Sequence, residues 1–121
     1  MAVERLLLPR SARIKQRGDF ARAKARGARV VYGCVIANIL SRPAGASSRI
    51  GVVTSRKIGG AVQRSRARRL LREAYRLHQR ELPQSLDVVL VARPSIAGKK
   101  FADVERDFLE TMRRLSADKT K

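Results

Sequence analysis

Residues 59–80 read GGAVQRSRARRLLREAYRLHQR, and the arginines here are the side chains whose spacing could do chemistry. Arg64, Arg68, Arg72, Arg76 and Arg80 recur every four residues. At about 100° per residue, each step of four advances only about 40° around a helix. The guanidiniums therefore form one slowly drifting stripe, widened by Arg66 and Arg69. Ala67, Leu70, Leu71, Ala74, Leu77 and His78 fall on the opposite arc. One side can pack on a core while the other presents positive charge. A guanidinium is a rigid planar fork that matches phosphate oxygens, so the ligand such a face suits is a polyanion.

Other chemistries find less support. Asp103, Asp107 and Glu110 share one side of a C-terminal helical pattern, but Arg106, Arg113 and Arg114 lie among them. They read as a surface charge network rather than a metal site. His78 has no serine or cysteine partner in its sequence context and reads as a half-buried side chain, not a general base. Cys34, the single cysteine, reads as a small core residue and rules out an internal disulfide. One cysteine and one histidine cannot build a zinc site. Gly59-Gly60 lacks P-loop spacing and reads as a turn into the arginine helix.

The whole chain agrees with the stripe. Among 121 residues, 28 are Lys or Arg and 10 are Asp or Glu, a net charge of +18. Such charge strains a compact body unless a partner neutralises it. Hydrophobic residues make up 44%, enough for a core of its own. No apolar run reaches the roughly 20 residues that span a bilayer, and Leu6-Leu7-Leu8 is too short for a signal-peptide core. A cytoplasmic protein with a nucleic-acid partner and no membrane partner is expected. Aromatics are few, with three Phe, two Tyr and no Trp. Base stacking must rest on those few rings or on arginine planes.

The elements that would position the stripe can be read in order. Residues 1–13 read as a basic arm, 14–115 as one domain and 116–121 as a polar tail. Asp19 reads as the N-cap of a first helix over 20–26, stopped by Gly27. Residues 29–40 are rich in β-branched side chains and read as one strand, with Gly33 marking a bulge or a close backbone approach. The loop 41–48 leads to a second strand over 49–56, and the two read as an antiparallel hairpin. The arginine helix ends before Pro83. Residues 86–92, LDVVLVA, read as a buried central strand. Phe101, Val104, Phe108, Met112 and Leu115 share one face of a last helix. The order α-β-β-α-β-α predicts an α+β, two-layer sandwich.

With these elements in place, residues 49–76, RIGVVTSRKIGGAVQRSRARRLLREAYR, resemble the signature region of the bacterial ribonuclease P protein family. The matching residues are Ser55, Arg56, Lys57, Gly59, Ala61, Val62, Arg64, Ser65, Arg66, Arg68, Arg69, Arg72 and Glu73. Residues 14–20 with Gly27 are similar to the family's first helix region, and LDVVLVARP to its late strand. Ser65 stands where the family usually has asparagine, and Arg68 where lysine is common. Lys24 and Asn38 occupy positions where some relatives carry Phe or Tyr.

The resemblance implies a single-domain fold like a known ribosomal-protein domain, with an unusual left-handed β-α-β crossover. It implies a protein subunit of a ribonucleoprotein endoribonuclease, a hydrolase whose catalytic component is RNA. That assembly removes the 5′ leader of precursor tRNA to give the mature 5′ end, with Mg2+ held mainly by the RNA. The partners implied are the RNA subunit and precursor tRNA, with no small-molecule substrate. Arg64, Ser65, Arg66, Arg68, Arg69 and Arg72 would meet the RNA subunit. Phe20, Asn38, Ser55, Arg56 and Lys57 would line the leader cleft. No protein residue is expected to be catalytic or to hold the metal. The alternative is a ribosomal or general RNA-chaperone protein of the same fold.

Overall fold

The computed structural model describes residues 12–83 and 85–119, with side chains as far as Leu115. Three helices and four strands follow the order α1 (Arg17–Arg26), β1 (Ala28–Tyr32), β2 (Val35–Ser41), β3 (Arg49–Val53), α2 (Ala61–His78), β4 (Leu86–Ala92) and α3 (Phe101–Lys119). The strands form one mixed sheet in the order β1-β2-β4-β3. β1 and β2 are antiparallel, as are β2 and β4, whereas β3 and β4 are parallel. α2 supplies the crossover between the parallel pair. The architecture is the expected α+β sandwich in one domain, with α3 continuing past residue 115 into the stretch read as tail.

The sequence-read strand over 29–40 is two strands. Tyr32 pairs with Val35 across a two-residue turn, and Gly33 at its first position has φ +57°. Glycine at that position suits the tight hairpin turns whose twist matches the strands. The same glycine leaves room for the Asp107 carboxylate, which a Cβ would strike. Asp107 accepts the Cys34 backbone N–H at 3.0 Å and is only 5% exposed. It therefore anchors the hairpin from a buried position, while its other oxygen lies 3.7 Å from Arg106. Asp103 and Glu110 form the rest of the expected charge network: the first pairs with Arg106, the second with Arg113 and Arg114. Cys34 is buried, and burial with the adjacent Asp107 pushes its thiol up to about 12.

The expected hairpin between the second and third strands does not form, because β4 lies between β2 and β3. β4 is buried along nearly its whole length and takes the centre, where both faces are covered. The link over residues 42–48 has the length to cross the two strand spacings, about 10 Å, that separate β2 from β3. Gly27 also differs from expectation. Its φ is −79°, so no left-handed turn stops α1. A Cβ there would sit 2.5 Å from the Ala23 carbonyl oxygen and 2.6 Å from that of Ile39. The glycine is there so that helix end and β2 can touch. α1 begins before Asp19, with Gln16 as its N-cap.

Alternation along the strands sorts side chains onto two faces. α2 and α3 cover one face, where Val35, Ala37, Ile39, Val88 and Leu90 meet Leu71, Tyr75, Val104, Phe108 and Met112. α1 covers part of the other, where Ala23, Phe20 and Ile14 meet Val89. The β3 edge is capped by the chain before α1: Arg13 bridges to Ile50, and the Ile14 N–H donates to the Ile50 carbonyl at 2.8 Å. Arg13 thus belongs to the sheet rather than to an arm. Residues 1–11 of that predicted arm lie outside the described residues.

His78 ties the end of α2 to α3. Its Nδ1 lies 2.8 Å from Glu81 and its Nε2 2.8 Å from Glu105. The hydrogen bond to Glu105, then the one to Glu81, holds the imidazole pKa above its ordinary value. A raised folded-state pKa stabilises the fold fully below the unfolded value of about 6.5 and is lost as pH climbs through the folded value. The melting temperature should therefore fall as pH rises from about 6.5 toward 8. His78→Gln should flatten that slope; a slope identical to the unmodified chain would contradict this link.

Candidate nucleic-acid interface

α2 forms because residues 61–78 contain no Pro or Gly and carry many good helix formers. Gly60 precedes it with no side-chain cap, and Gly59 has φ +142°. Ala67, Leu71, Ala74 and Tyr75 are its buried residues, so the helix is two-sided as the periodicity requires. Arg66 and Arg69 are exposed, and Arg64, Arg68 and Arg72 are half-exposed. Among the described residues none of these five pairs with a carboxylate. Arg76 does, forming an ion pair with Glu73. Arg80 lies beyond α2, in a 3-10 turn over Gln79–Glu81.

Several of these arginines are held in place by neutral groups. Arg68 Nη1 donates to Thr54 Oγ1 at 2.8 Å, and Nη2 to Ser65 Oγ at 3.2 Å. Ser65 therefore orients its neighbour's fork. Arg66 Nη2 donates to the Lys99 carbonyl oxygen at 2.5 Å. Arg64 Nε is buried without a partner. Arg72 has its pKa lowered, first by burial and then by repulsion from Arg13 and Arg68. Like charges drawn together without a compensating acid favour an anion between them.

The other expected site residues lie on the α1-covered face of the sheet and just past β3. The register sets Arg29, Asn38, Val89 and Gly51 in one row across the sheet, and Val31, Ile36, Val91 and Val53 in the next. Phe20 of α1 rests on Gly51, where a Cβ would strike its ring. Asn38 is 2% exposed and its Oδ1 has no hydrogen-bond partner. It opens into a concavity of about 280 Å³ lined with Lys24, Arg29, Ile36 and Val91. Val31 of the next row is 40% exposed. Phe20 and Asn38 thus lie over one row of the α1-covered face of the sheet, each lining a concavity of its own. Ser55, Arg56 and Lys57 are exposed just past Val53, at the start of the link into α2. The Phe20 concavity, of about 260 Å³, has Arg13, Lys15, Gly51 and Arg72 in its walls and so reaches α2. Arg13, Lys15 and Arg29 were missed as site residues. Only their charge marked them.

Four charged groups hold α1 against this sheet edge. Arg49 grips Asp87 with Nε and Nη2, both at 2.8 Å, and reaches Asp19 of α1 at 3.4 Å. Arg42 approaches Asp87 at 3.6 Å. The hydrogen bond to Asp87 raises the Arg49 pKa. Among the described residues no three His, Cys, Asp or Glu side chains gather where a metal could sit, and no helix is long and apolar enough to cross a membrane.

A mixed four-stranded sheet between helices, with one helix turning a cationic face outward, defines a small basic α+β protein shaped to meet a polyanion. The chain belongs to the ribonuclease P protein family, whose model, Ribonuclease P, matches residues 8–116. It is 40% identical over 117 residues to the ribonuclease P protein component of Desulfovibrio desulfuricans, covering 94% of this chain and 90% of that one. It is 37% identical to the ribonuclease P protein component of Gluconacetobacter diazotrophicus, covering 87% and 91%. The fold matches the RNase P protein of Thermotoga maritima at TM-score 0.75 and 25% identity, covering 84% of this chain and 96% of that one. It also matches the Staphylococcus aureus RNase P protein at TM-score 0.77 and 22% identity, covering 84% and 93%.

Proposed function

We propose that this chain is the protein subunit of a bacterial ribonuclease P. Its α2 face binds the RNA subunit, and its α1–sheet groove holds the 5′ leader of precursor tRNA. The assembly hydrolyses the phosphodiester that joins leader to tRNA, using Mg2+ held mainly by the RNA. The observation that carries the reading is the row of Arg64, Arg66, Arg68, Arg69 and Arg72 without a carboxylate partner among the described residues, on a chain of this family. Crowded RNA phosphates need cations, and arginines that replace condensed counterions gain affinity by releasing them.

The protein's part is positioning. A single strand in a basic groove gains from phosphate contacts and from a few stacking surfaces. Phe20 supplies the ring, and Lys24, Arg29, Arg13 and Lys15 supply the charge. Holding the leader fixes the scissile bond near the metals, which lowers the entropic cost of reaction. The acids offer the metal little, since Asp87, Asp107, Glu73 and Glu110 are already engaged by arginine or backbone N–H groups.

Phe20→Ala tests the groove. In the assembled holoenzyme it should weaken precursor tRNA binding by about 5-fold or more while leaving mature tRNA nearly unchanged, as expected for one lost stacking surface. Equal losses for both ligands would remove Phe20 from the leader path.

A further inference from the structure

Between the first turns of α2 and the segment after β4 lies a groove of about 320 Å³ that the functions above leave unused. Ile58, Ala67 and Ile96, all buried, form its apolar lining together with Ala97 and Gly98. Arg66 lines one side and reaches across to the far segment through its bond to the Lys99 carbonyl. That bond fixes a planar cation along the groove. Gln63 lines it too, its chain folded back over Gly59 and Gly60 at 3.2 Å from where their Cβ atoms would be. Among the described residues the Gln63 carboxamide has no hydrogen-bond partner. Val62, one turn before Arg66, is 79% exposed.

We propose that this groove receives an unstacked nucleobase of the RNA partner. The inference rests on the reading that α2 faces RNA, and it adds a mode of recognition. A phosphate has no use for an apolar floor, and a greasy protein side chain has no use for an arginine rim. A base has both needs: apolar faces and a polar edge. Arginine planes stack on bases, and unpaired RNA bases are splayed out and read in this way. The Gln63 carboxamide offers a donor and an acceptor to the edge. With five aromatic rings in the whole chain, an arginine held flat is the stacking surface available on this face.

The test separates base contact from charge. The full chain and its variants are titrated against the RNA subunit over a range of salt, and the bound RNA is probed chemically at its base edges. Arg66→Lys keeps the charge and loses the plane, so it should bind about 5-fold weaker or worse with an unchanged log–log salt slope. Gln63→Ala, which leaves the Lys99 bond intact, should bind about 3-fold weaker or worse. At least one unpaired base protected by the unmodified chain should become reactive in both variants. Either variant binding as tightly as the unmodified chain, or no base regaining reactivity, overturns the proposal. If Arg64→Ala with Arg68→Ala also leaves binding intact, it is the orientation of α2 toward RNA that has failed.

Discussion

Replacing Arg64 and Arg68 together by alanine is expected to weaken binding to the RNA subunit by about 10- to 30-fold at physiological salt. It should also flatten the log–log salt dependence by about one to two units. The side chains stand one turn apart on α2, both half-exposed, and neither meets a carboxylate among the described residues. Each phosphate neutralised releases close to one condensed counterion, which gives the slope its size. The fold should survive. Alanine is the best helix former, and the packing of Ala67, Leu71, Ala74 and Tyr75 is untouched. What is lost internally is the Arg68 bonding to Thr54 and Ser65, worth about 1 kcal/mol per hydrogen bond. Salt titrations of both proteins measure the slope directly. An unchanged slope would mean that these side chains do not touch phosphate.

The largest loss of stability is expected from Asp87→Ala. The Asp87 side chain is 4% exposed and Arg49 23% exposed, so the pair is well shielded from water. Removing the acid leaves Arg49 only its longer contact to Asp19, at 3.4 Å, and takes a partner from Arg42. Breaking a buried pair in this way costs about 3–5 kcal/mol, because the remaining charge is poorly compensated. Urea unfolding should show a lower midpoint. Since Arg49 also reaches Asp19 on α1, leader affinity should drop more than affinity for the RNA subunit. A stability change under about 1 kcal/mol would show that water, rather than Asp87, satisfies Arg49.

What could be read from sequence was what repeats locally. The four-residue arginine spacing marked both faces of α2, and the Phe101-to-Leu115 spacing marked the core side of α3. The apolar run from Val88 to Ala92 in β4 marked the centre of the sheet. The strand order was not legible, because β2 and β3 are neighbours in sequence and their separation by β4 depends on long-range pairing. The β1–β2 turn hid among β-branched residues, with Gly33 as its signal. Asp107 could have been placed, since it follows Val104 by three residues and precedes Thr111 by four, and all three are buried. The bias toward counting acids as surface groups concealed it. Phe20 and Asn38 came from the family resemblance. Their placement over one row of the sheet depends on a register that no local pattern carries.

The most direct measurement of the central claim is leader cleavage at low Mg2+. RNA subunit and precursor tRNA are incubated with and without this protein, and the protein is also incubated with precursor tRNA alone. A marked gain in cleavage at the mature 5′ end only when protein and RNA subunit are combined is the predicted result. No gain over the RNA subunit by itself, or cleavage by the protein without RNA, would contradict the account.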